Sequence, residues 1–288
     1  MVREDLARPG RSGPRRQGPP RWGRSGERPR VGGMHLRWRL AVVTGGGSGL
    51  GREICLRLGR AGVGVLVADR DATTAESVAA EVRESRVKAW PWQVDVTDAG
   101  ELDLLAARMR DLGGADLLVN NAGGWTDGDQ YPAAPPEAWA ATLDLNLLAP
   151  MRLTQLFLAD VGQRRGRSEE PGAVVNVASE AGLERAGYGS PEYAAAKAGL
   201  IRLTTALARP DVARLARVTC VVPGWIGLDR ARAELAVMDP AERDAQAPLV
   251  PPGQVAQTVV DLLERGAAGT VVELLGGRPP VVRLAPSP

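Results

Sequence analysis

Between residues 39 and 275 the sequence alternates short apolar runs with longer segments of helical periodicity, and this alternation strongly limits the choice of fold. The run at 63–68 is continuously apolar, which is typical of a strand covered on both faces. The pattern predicts an α/β domain with a parallel, doubly wound sheet of about seven strands and helices on both faces. The predicted strands are 39–44, 63–68, 87–94, 115–120, 173–178, 217–222 and 270–275, and the predicted helices are 54–60, 72–85, 102–112, 136–161, 191–208, 229–246 and 253–264. Pro91 indicates that the third strand lies at a sheet edge, because proline cannot donate a ladder hydrogen bond.

The head of the chain differs from the rest in composition. Residues 1–30 hold nine arginines and three acidic residues and are rich in glycine and proline. Such a segment buries too little apolar surface to offset its ordering entropy, so disorder is predicted for 1–33. Translation from Met34 is a further hypothesis, which would leave this tail out of the native protein. Residues 34–288 are predicted to form a single domain.

Charge and composition exclude several classes of function. Outside residues 1–30 the chain has 27 basic and 31 acidic residues, so its body lacks the basic footprint of a nucleic-acid-binding protein. No apolar run approaches the roughly 18 residues that a membrane span needs. The chain has one histidine, and its two cysteines, Cys55 and Cys220, lie far apart in sequence. We therefore expect no metal site, reduced thiols and a cytoplasmic location.

A glycine-rich turn follows the first strand and opens the first helix, and it reads Thr44-Gly45-Gly46-Gly47-Ser48-Gly49-Leu50-Gly51. Glycines let the backbone approach a pyrophosphate closely, and a helix N-terminus offers free N–H groups. Asp69 ends the second strand, where a carboxylate can bind the adenosine ribose hydroxyls and would repel a 2′-phosphate. These features predict a Rossmann-type domain that favours NAD, although Arg70 leaves NADP open.

Two scarce residue types meet in Tyr193-Ala194-Ala195-Ala196-Lys197. The chain has three tyrosines and only two lysines, Lys88 and Lys197. On a helix, positions four apart are neighbours on one face. Lowering the pKa of a phenol from about 10 to about 7 takes roughly 4 kcal/mol. A unit charge about 4 Å away supplies that much at an effective dielectric near 20. The pair therefore predicts an acid–base group, with an incidental pair on an exposed helix as the alternative.

In order along the chain, these features resemble the short-chain dehydrogenase/reductase family over roughly residues 38–277. The matching motifs are the glycine turn at 44–51, Asp95-Val96, Asn120-Asn121-Ala122-Gly123, Asn146, Ser179, Tyr193 with Lys197, and Pro223-Gly224. Each motif is weak alone, but their order makes the resemblance specific. It implies an oxidoreductase that transfers hydride between a nicotinamide cofactor and a secondary alcohol or ketone.

The resemblance also implies roles for individual residues. Tyr193 would be the general acid/base, Lys197 would lower its pKa and bind the nicotinamide ribose, and Ser179 would hold the substrate oxygen. Asn146 would bend a helix and hold a proton-relay water. The implied cofactor-binding residues are Gly45, Ser48, Gly49, Leu50, Gly51, Asp69, Asp95, Val96, Asn121, Ala122, Gly123, Tyr193, Lys197, Pro223, Gly224 and Ile226. The family's threonine five residues after Pro223 is replaced by Leu228, which removes one hydroxyl that holds the nicotinamide carboxamide.

The substrate stays open at this point. Residues 225–250 correspond to a substrate lid by resemblance, and Trp125, Tyr131 and Tyr188 are candidate pocket walls. An NADPH-dependent ketone reductase of the 3-oxoacyl type and a non-catalytic dinucleotide-binding protein are the alternatives. The family also implies a homo-oligomer, a tetramer or dimer, built through the helices at 136–161 and 191–208.

Overall fold

The structure is a computed structural model that describes residues 36–37, 39–125, 128–164, 171–184, 188–245 and 247–284. The tail predicted to be disordered, residues 1–33, lies outside the described residues. The strands are β1 (Leu40–Thr44), β2 (Gly64–Asp69), β3 (Ala89–Gln93), β4 (Leu117–Asn120), β5 (Gly172–Val177), β6 (Ala216–Pro223), β7 (Val271–Leu274) and β8 (Val281–Leu284).

The strands form one sheet in the order β3-β2-β1-β4-β5-β6-β7-β8. Strands β1 to β7 pair in parallel, which confirms the predicted doubly wound architecture. Strand β3, which contains Pro91, lies at one edge as the sequence predicts. The strand order reverses at β1, which has β2 on one side and β4 on the other. In a parallel sheet, ligands bind beyond the carboxyl ends of the strands at such a reversal.

The sheet has an eighth strand that the sequence analysis missed. Val281–Leu284 pairs antiparallel with β7, so the predicted count of about seven is one short. Arg283 in this strand forms a bidentate pair with Glu273 of β7. The pairing depends on the open edge of β7, which local sequence does not reveal.

In the described residues, helices cover both faces of the sheet. They are α1 (Gly49–Arg60), α2 (Ala72–Arg83), α3 (Ala99–Asp111), α4 (Pro136–Leu143), α5 (Ala149–Arg164), α6 (Pro191–Ala206), α7 (Pro210–Ala213), α8 (Asp229–Val237), α9 (Pro240–Ala245) and α10 (Pro252–Arg265). Helices α1, α2 and α10 pack in one core layer with Ala41 and Val43 of β1, whereas α3 and α5 pack in the other with Leu40 and Val42. Alternate residues of one strand thus serve both layers. Among the described helices, none is both long enough and apolar enough to cross a bilayer.

Two predicted helices are divided in the structure. The predicted helix at 136–161 runs as α4, one π-helical turn at Asp144–Leu148, and α5. The predicted helix at 229–246 is two short helices, α8 and α9, because Met238 is extended and Pro240 begins the next helix. The first division places a polar residue, Asn146, at the irregular turn, where π-bulges frequently mark functional sites.

Candidate active site

The glycine turn and the first turn of α1 form an anion-binding surface at the carboxyl end of β1. Ser48 is the N-cap residue, its side chain makes no capping hydrogen bond, and the first turn of α1 contains no acidic residue. A Cβ atom on Gly51 would overlap the carbonyl oxygen of Gly45, so only glycine allows the helix to begin so close to the turn. Leu50 is buried behind this turn. Free N–H groups and an uncompensated helix dipole fit the pyrophosphate of a dinucleotide.

Asp69, at the end of β2, lies directly beside this turn. Its Oδ2 accepts a hydrogen bond of 2.8 Å from the backbone N–H of Gly47, and its Oδ1 accepts one of 3.1 Å from Asp71. Asp95 lies beyond the end of β3, where hydrogen bonds from Thr97 hold its pKa below the ordinary range and the nearby Arg70 guanidinium adds to this effect. Asp69 and Asp95 thus follow neighbouring strands, and Val96 is buried next to Asp95.

The Asn-Asn-Ala-Gly segment after β4 is tied to the glycine turn. The Asn121 side chain donates to the carbonyl oxygens of Thr44 and Gly45 at 2.9 and 3.1 Å. The Thr44 hydroxyl accepts the backbone N–H groups of Asn121 and Ala122. These bonds join the carboxyl ends of β1 and β4 at the crevice that the strand reversal creates.

Asn146 and Lys197 meet at Gly123. Asn146 is fully buried, accepts from the Gly124 N–H at 3.0 Å, and donates to the carbonyl oxygens of Gly124 and Thr142. A Cβ atom on Gly123 would lie 2.8 Å from the Asn146 Oδ1 and 2.9 Å from the Lys197 Nζ. The glycine therefore leaves the space in which the π-turn and α6 approach each other.

Tyr193, Lys197 and Ser179 come together as the sequence predicts. Tyr193 and Lys197 lie one turn apart on α6, and the Lys197 Nζ is 5.5 Å from the centre of the Tyr193 ring. The Lys197 Nζ donates to the Val177 carbonyl at the end of β5 at 3.0 Å. Ser179, two residues further on, forms a side-chain hydrogen bond with Tyr193. The phenol, hydroxyl and ammonium thus share one end of the sheet.

The sequence predicts a lowered pKa for Tyr193, whereas the folded protein without cofactor raises it. Burial raises the pKa of Tyr193 to about 12, and the hydrogen bond with Ser179 only opposes this rise. Burial also lowers the pKa of Lys197 to about 8. Burial is the largest influence on the Tyr193 pKa, and it outweighs the attraction of the Lys197 ammonium. The expectation that Lys197 by itself lowers the pKa of Tyr193 to near neutral is therefore wrong.

Aromatic rings surround the Tyr193 phenol. Trp125 meets its ring edge-on with 5.6 Å between centroids, and Tyr188 stacks on it at 6.2 Å with 24° between the planes. Arg230 of α8 lies over the Trp125 ring at 4.7 Å, so the lid segment touches the wall of the site. Tyr131, in contrast, is exposed on the surface.

The Pro223-Gly224 turn closes the remaining side. Pro223 ends β6, and the Gly224 N–H bonds to the Leu274 carbonyl of β7. Ile226 pairs with Val250, which pins together the two ends of the 225–250 lid. The Leu228 side chain approaches Gly49, where a Cβ atom would lie 3.4 Å from its Cδ1. The residue that replaces the family's threonine therefore faces the glycine turn.

The sequence analysis missed two residues at this site. Neither Arg230, in the lid segment, nor Glu180 was singled out, although Glu180 follows Ser179 directly. Only the three-dimensional arrangement brings Arg230 to Trp125, and only it brings the Glu180 carboxylate to Gly224. The adjacency of Glu180 to Ser179 was the one available signal.

Comparisons with known proteins agree with this geometry. The family model described as short chain dehydrogenase matches residues 39–237. Acetoacetyl-CoA reductase of Rhizobium meliloti is 32% identical over 249 residues, which cover 83% of this chain and 98% of that protein. Among solved structures, a short-chain dehydrogenase/reductase from Burkholderia xenovorans is 30% identical with a TM-score of 0.75, covering 84% of this chain and 97% of its own. The structure of an actinorhodin polyketide ketoreductase with NADPH is 31% identical and has a TM-score of 0.73. The match covers 83% of this chain and 97% of the ketoreductase chain.

The chain belongs to the short-chain dehydrogenase/reductase family. It is an oxidoreductase of alcohol and ketone groups that uses a nicotinamide cofactor.

Proposed function

We propose that this protein is an NAD-dependent dehydrogenase of secondary alcohols, and the position of Asp69 is the observation that supports this cofactor preference. Its carboxylate is hydrogen-bonded to the glycine turn at Gly47, at the end of β2. A carboxylate there can accept the adenosine ribose hydroxyls, whereas a 2′-phosphate would bring about two more negative charges beside it. The glycine turn at 44–51 contains no basic residue to offset such charge.

The chemistry follows from the arrangement around Tyr193. When bound, a nicotinamide cofactor would supply the acceptor for the hydride that leaves the carbinol carbon during oxidation. The Tyr193 phenolate takes the hydroxyl proton, and Ser179 donates a hydrogen bond to the substrate oxygen. Lys197 holds the cofactor ribose, and Asn146 keeps the α4–α5 turn in place for a proton-relay water. The raised pKa of Tyr193 means that oxidation becomes faster as the pH rises.

The second candidate is an NADPH-dependent ketone reductase of the 3-oxoacyl type. Two observations favour it. Similar proteins are named acetoacetyl-CoA reductase and polyketide ketoreductase, and the latter was solved with NADPH. Arg70 is exposed beside Asp69 and could pair with a 2′-phosphate. A non-catalytic dinucleotide-binding protein is less supported, because Tyr193 and Lys197 are both present.

Titration of the purified protein with NADH and NADPH, followed by cofactor fluorescence, separates the two candidates. We expect NADH to bind more tightly than NADPH. Asp69→Asn should lower the ratio of the NADPH to the NADH dissociation constant by about tenfold, the effect of removing one nearby charge. Asp111→Asn, at the exposed end of α3, is the matched control and should leave the ratio unchanged. Tighter binding of NADPH by the wild-type protein would overturn the proposed preference.

We also propose assembly into a homo-oligomer through the outer face of α5 and α6. This face exposes Leu148 and Met151 and forms a groove with Leu158, Leu203 and Leu207. An apolar groove of this kind is typical of an interface. Light scattering of the purified protein measures the assembly, and a monomer at micromolar concentration would contradict it.

The remaining proposals concern the location and the extent of the working domain. Both cysteines, Cys55 and Cys220, are free and buried, which is in keeping with a cytoplasmic location. We propose that residues 34–288 act as one dinucleotide-binding catalytic domain.

A further inference from the structure

Glu180 has a position that its neighbours along the chain do not indicate. It begins the short 3-10 turn Glu180–Gly182 that follows Ser179. Its side chain extends across to β6, where a Cβ atom on Gly224 would lie 2.9 Å from the Glu180 Oε2 and 3.3 Å from its Cδ. The carboxylate is thus packed against the Cα of Gly224, in the Pro223-Gly224 turn.

The charge of the same carboxylate also acts on the phenol. The Glu180 charge contributes to the raised pKa of Tyr193, after burial and alongside Tyr188. It also raises the pKa of Tyr188, again after burial. Glu180 therefore packs against the Pro223-Gly224 turn and its charge acts on the Tyr193 phenol, the two features that flank the nicotinamide in the proposed function.

The charges that act on Glu180 are themselves negative. Burial raises the pKa of the Glu180 carboxyl, and Glu184 and Glu273 add to this rise. Glu273 is paired with Arg283, whereas Glu184 is exposed to solvent. Among the described residues that shift the Glu180 pKa none is basic, and a half-buried carboxylate in such surroundings favours a ligand that brings a positive charge.

An oxidised nicotinamide ring carries one positive charge, and a reduced ring is neutral. We propose that Glu180 is a specificity-determining residue that strengthens binding of the oxidised cofactor relative to the reduced one, and so favours alcohol oxidation. This inference rests on the proposed function, because it takes the Pro223-Gly224 turn as the nicotinamide side of the cleft. The same charge disfavours the Tyr193 phenolate, so the preference comes with a weaker base.

Calorimetric titration of the full chain with NAD⁺ and NADH at pH 8 tests the inference without turnover. In Glu180→Gln, which keeps the size of the side chain, the ratio of the NAD⁺ to the NADH dissociation constant should rise about threefold to tenfold, the range for one half-exposed charge. Glu180→Ala should move the ratio in the same direction. Glu180→Asp retains the charge, so its ratio should stay near that of the wild-type protein. The control Glu184→Gln should also leave the ratio near the wild-type value, because solvent screens the exposed Glu184 charge that it removes.

The outcomes separate this inference from the proposed function. If the wild-type protein binds both cofactors and neither Glu180→Gln nor Glu180→Ala changes the ratio by more than about twofold, the role of Glu180 is refuted while the proposed function stands. If the wild-type protein binds neither cofactor, the proposed function fails and the role of Glu180 fails with it. An equal change in Glu184→Gln would also refute the role, since it would show a diffuse effect of surface charge.

Discussion

Replacing Lys197 with methionine should make this protein more stable while it removes activity. Lys197 is 3% exposed, and burial lowers its pKa from 10.5 to about 8. A fall of this size in the pKa of Lys197 corresponds to about 3 kcal/mol of cost for its charged form. Methionine fills a similar volume without charge but loses the hydrogen bond to Val177, worth about 1–2 kcal/mol. The net gain is about 1–2 kcal/mol, or about 2–6 °C in Tm for a domain of this size.

The pH dependence of this gain has a defined sign. Below pH 8 the lysine is charged in both the folded and the unfolded state, so the wild-type protein carries the full cost. Between pH 8 and 10.5 the folded state has lost the proton and the unfolded state still binds it, so wild-type stability rises with pH. The advantage of Lys197→Met should therefore be greatest below pH 8, should vanish at about pH 9 to 9.5, and should be reversed near pH 10.5, where only the lost hydrogen bond to Val177 remains.

Urea unfolding of the two proteins at pH 7, 9 and 10, without cofactor, measures this difference. Lys88→Met is the matched control, since Lys88 is the other lysine of the chain and is exposed. It should leave stability nearly unchanged at every pH. A Lys197→Met protein that is less stable than wild type at pH 7, or an advantage that does not shrink with pH, would refute the reasoning.

Two further predictions concern the site and its support. Tyr193→Phe removes only the hydroxyl, so the rate of alcohol oxidation should fall by about a thousandfold while the dissociation constant of NADH changes less than about threefold. Stopped-flow kinetics measures the rate and fluorescence titration measures the dissociation constant. Retained turnover would refute the assigned role. Asn176→Ala removes a fully buried amide that accepts from Asn120 at 2.8 Å and donates to Thr204 at 2.9 Å. The lost hydrogen bonds and the unpaired groups should lower the free energy of unfolding by about 2–4 kcal/mol. Urea unfolding should show this as a lower midpoint with an unchanged slope. An unchanged midpoint would show that this network does not hold β4, β5 and α6 together.

Much of the fold was predictable because its signals are local. The continuous apolar run at 63–68 and the predicted strand at 115–120 correspond to β2 and β4 with small shifts at their ends. Pro91 gave the position of β3 at a sheet edge, since the missing N–H is a property of the residue itself. Strand β8 was missed, because it depends on the free edge of β7. The bend at Asn146 was implied by the resemblance, but its form as a π-turn at Asp144–Leu148 depends on the tertiary contacts of Asn146.

Residue types and spacings along the chain determined the alternating α/β architecture, the glycine turn and the approach of Tyr193 to Lys197, since these depend on local periodicity. Tertiary structure decided the electrostatics. It buried the phenol and the ammonium together, which raises the pKa of Tyr193 and lowers that of Lys197. It also brought Glu180, in the turn after β5, against Gly224, which follows β6. Burial and distance between separate strands control both effects, and neither can be read from order along the chain.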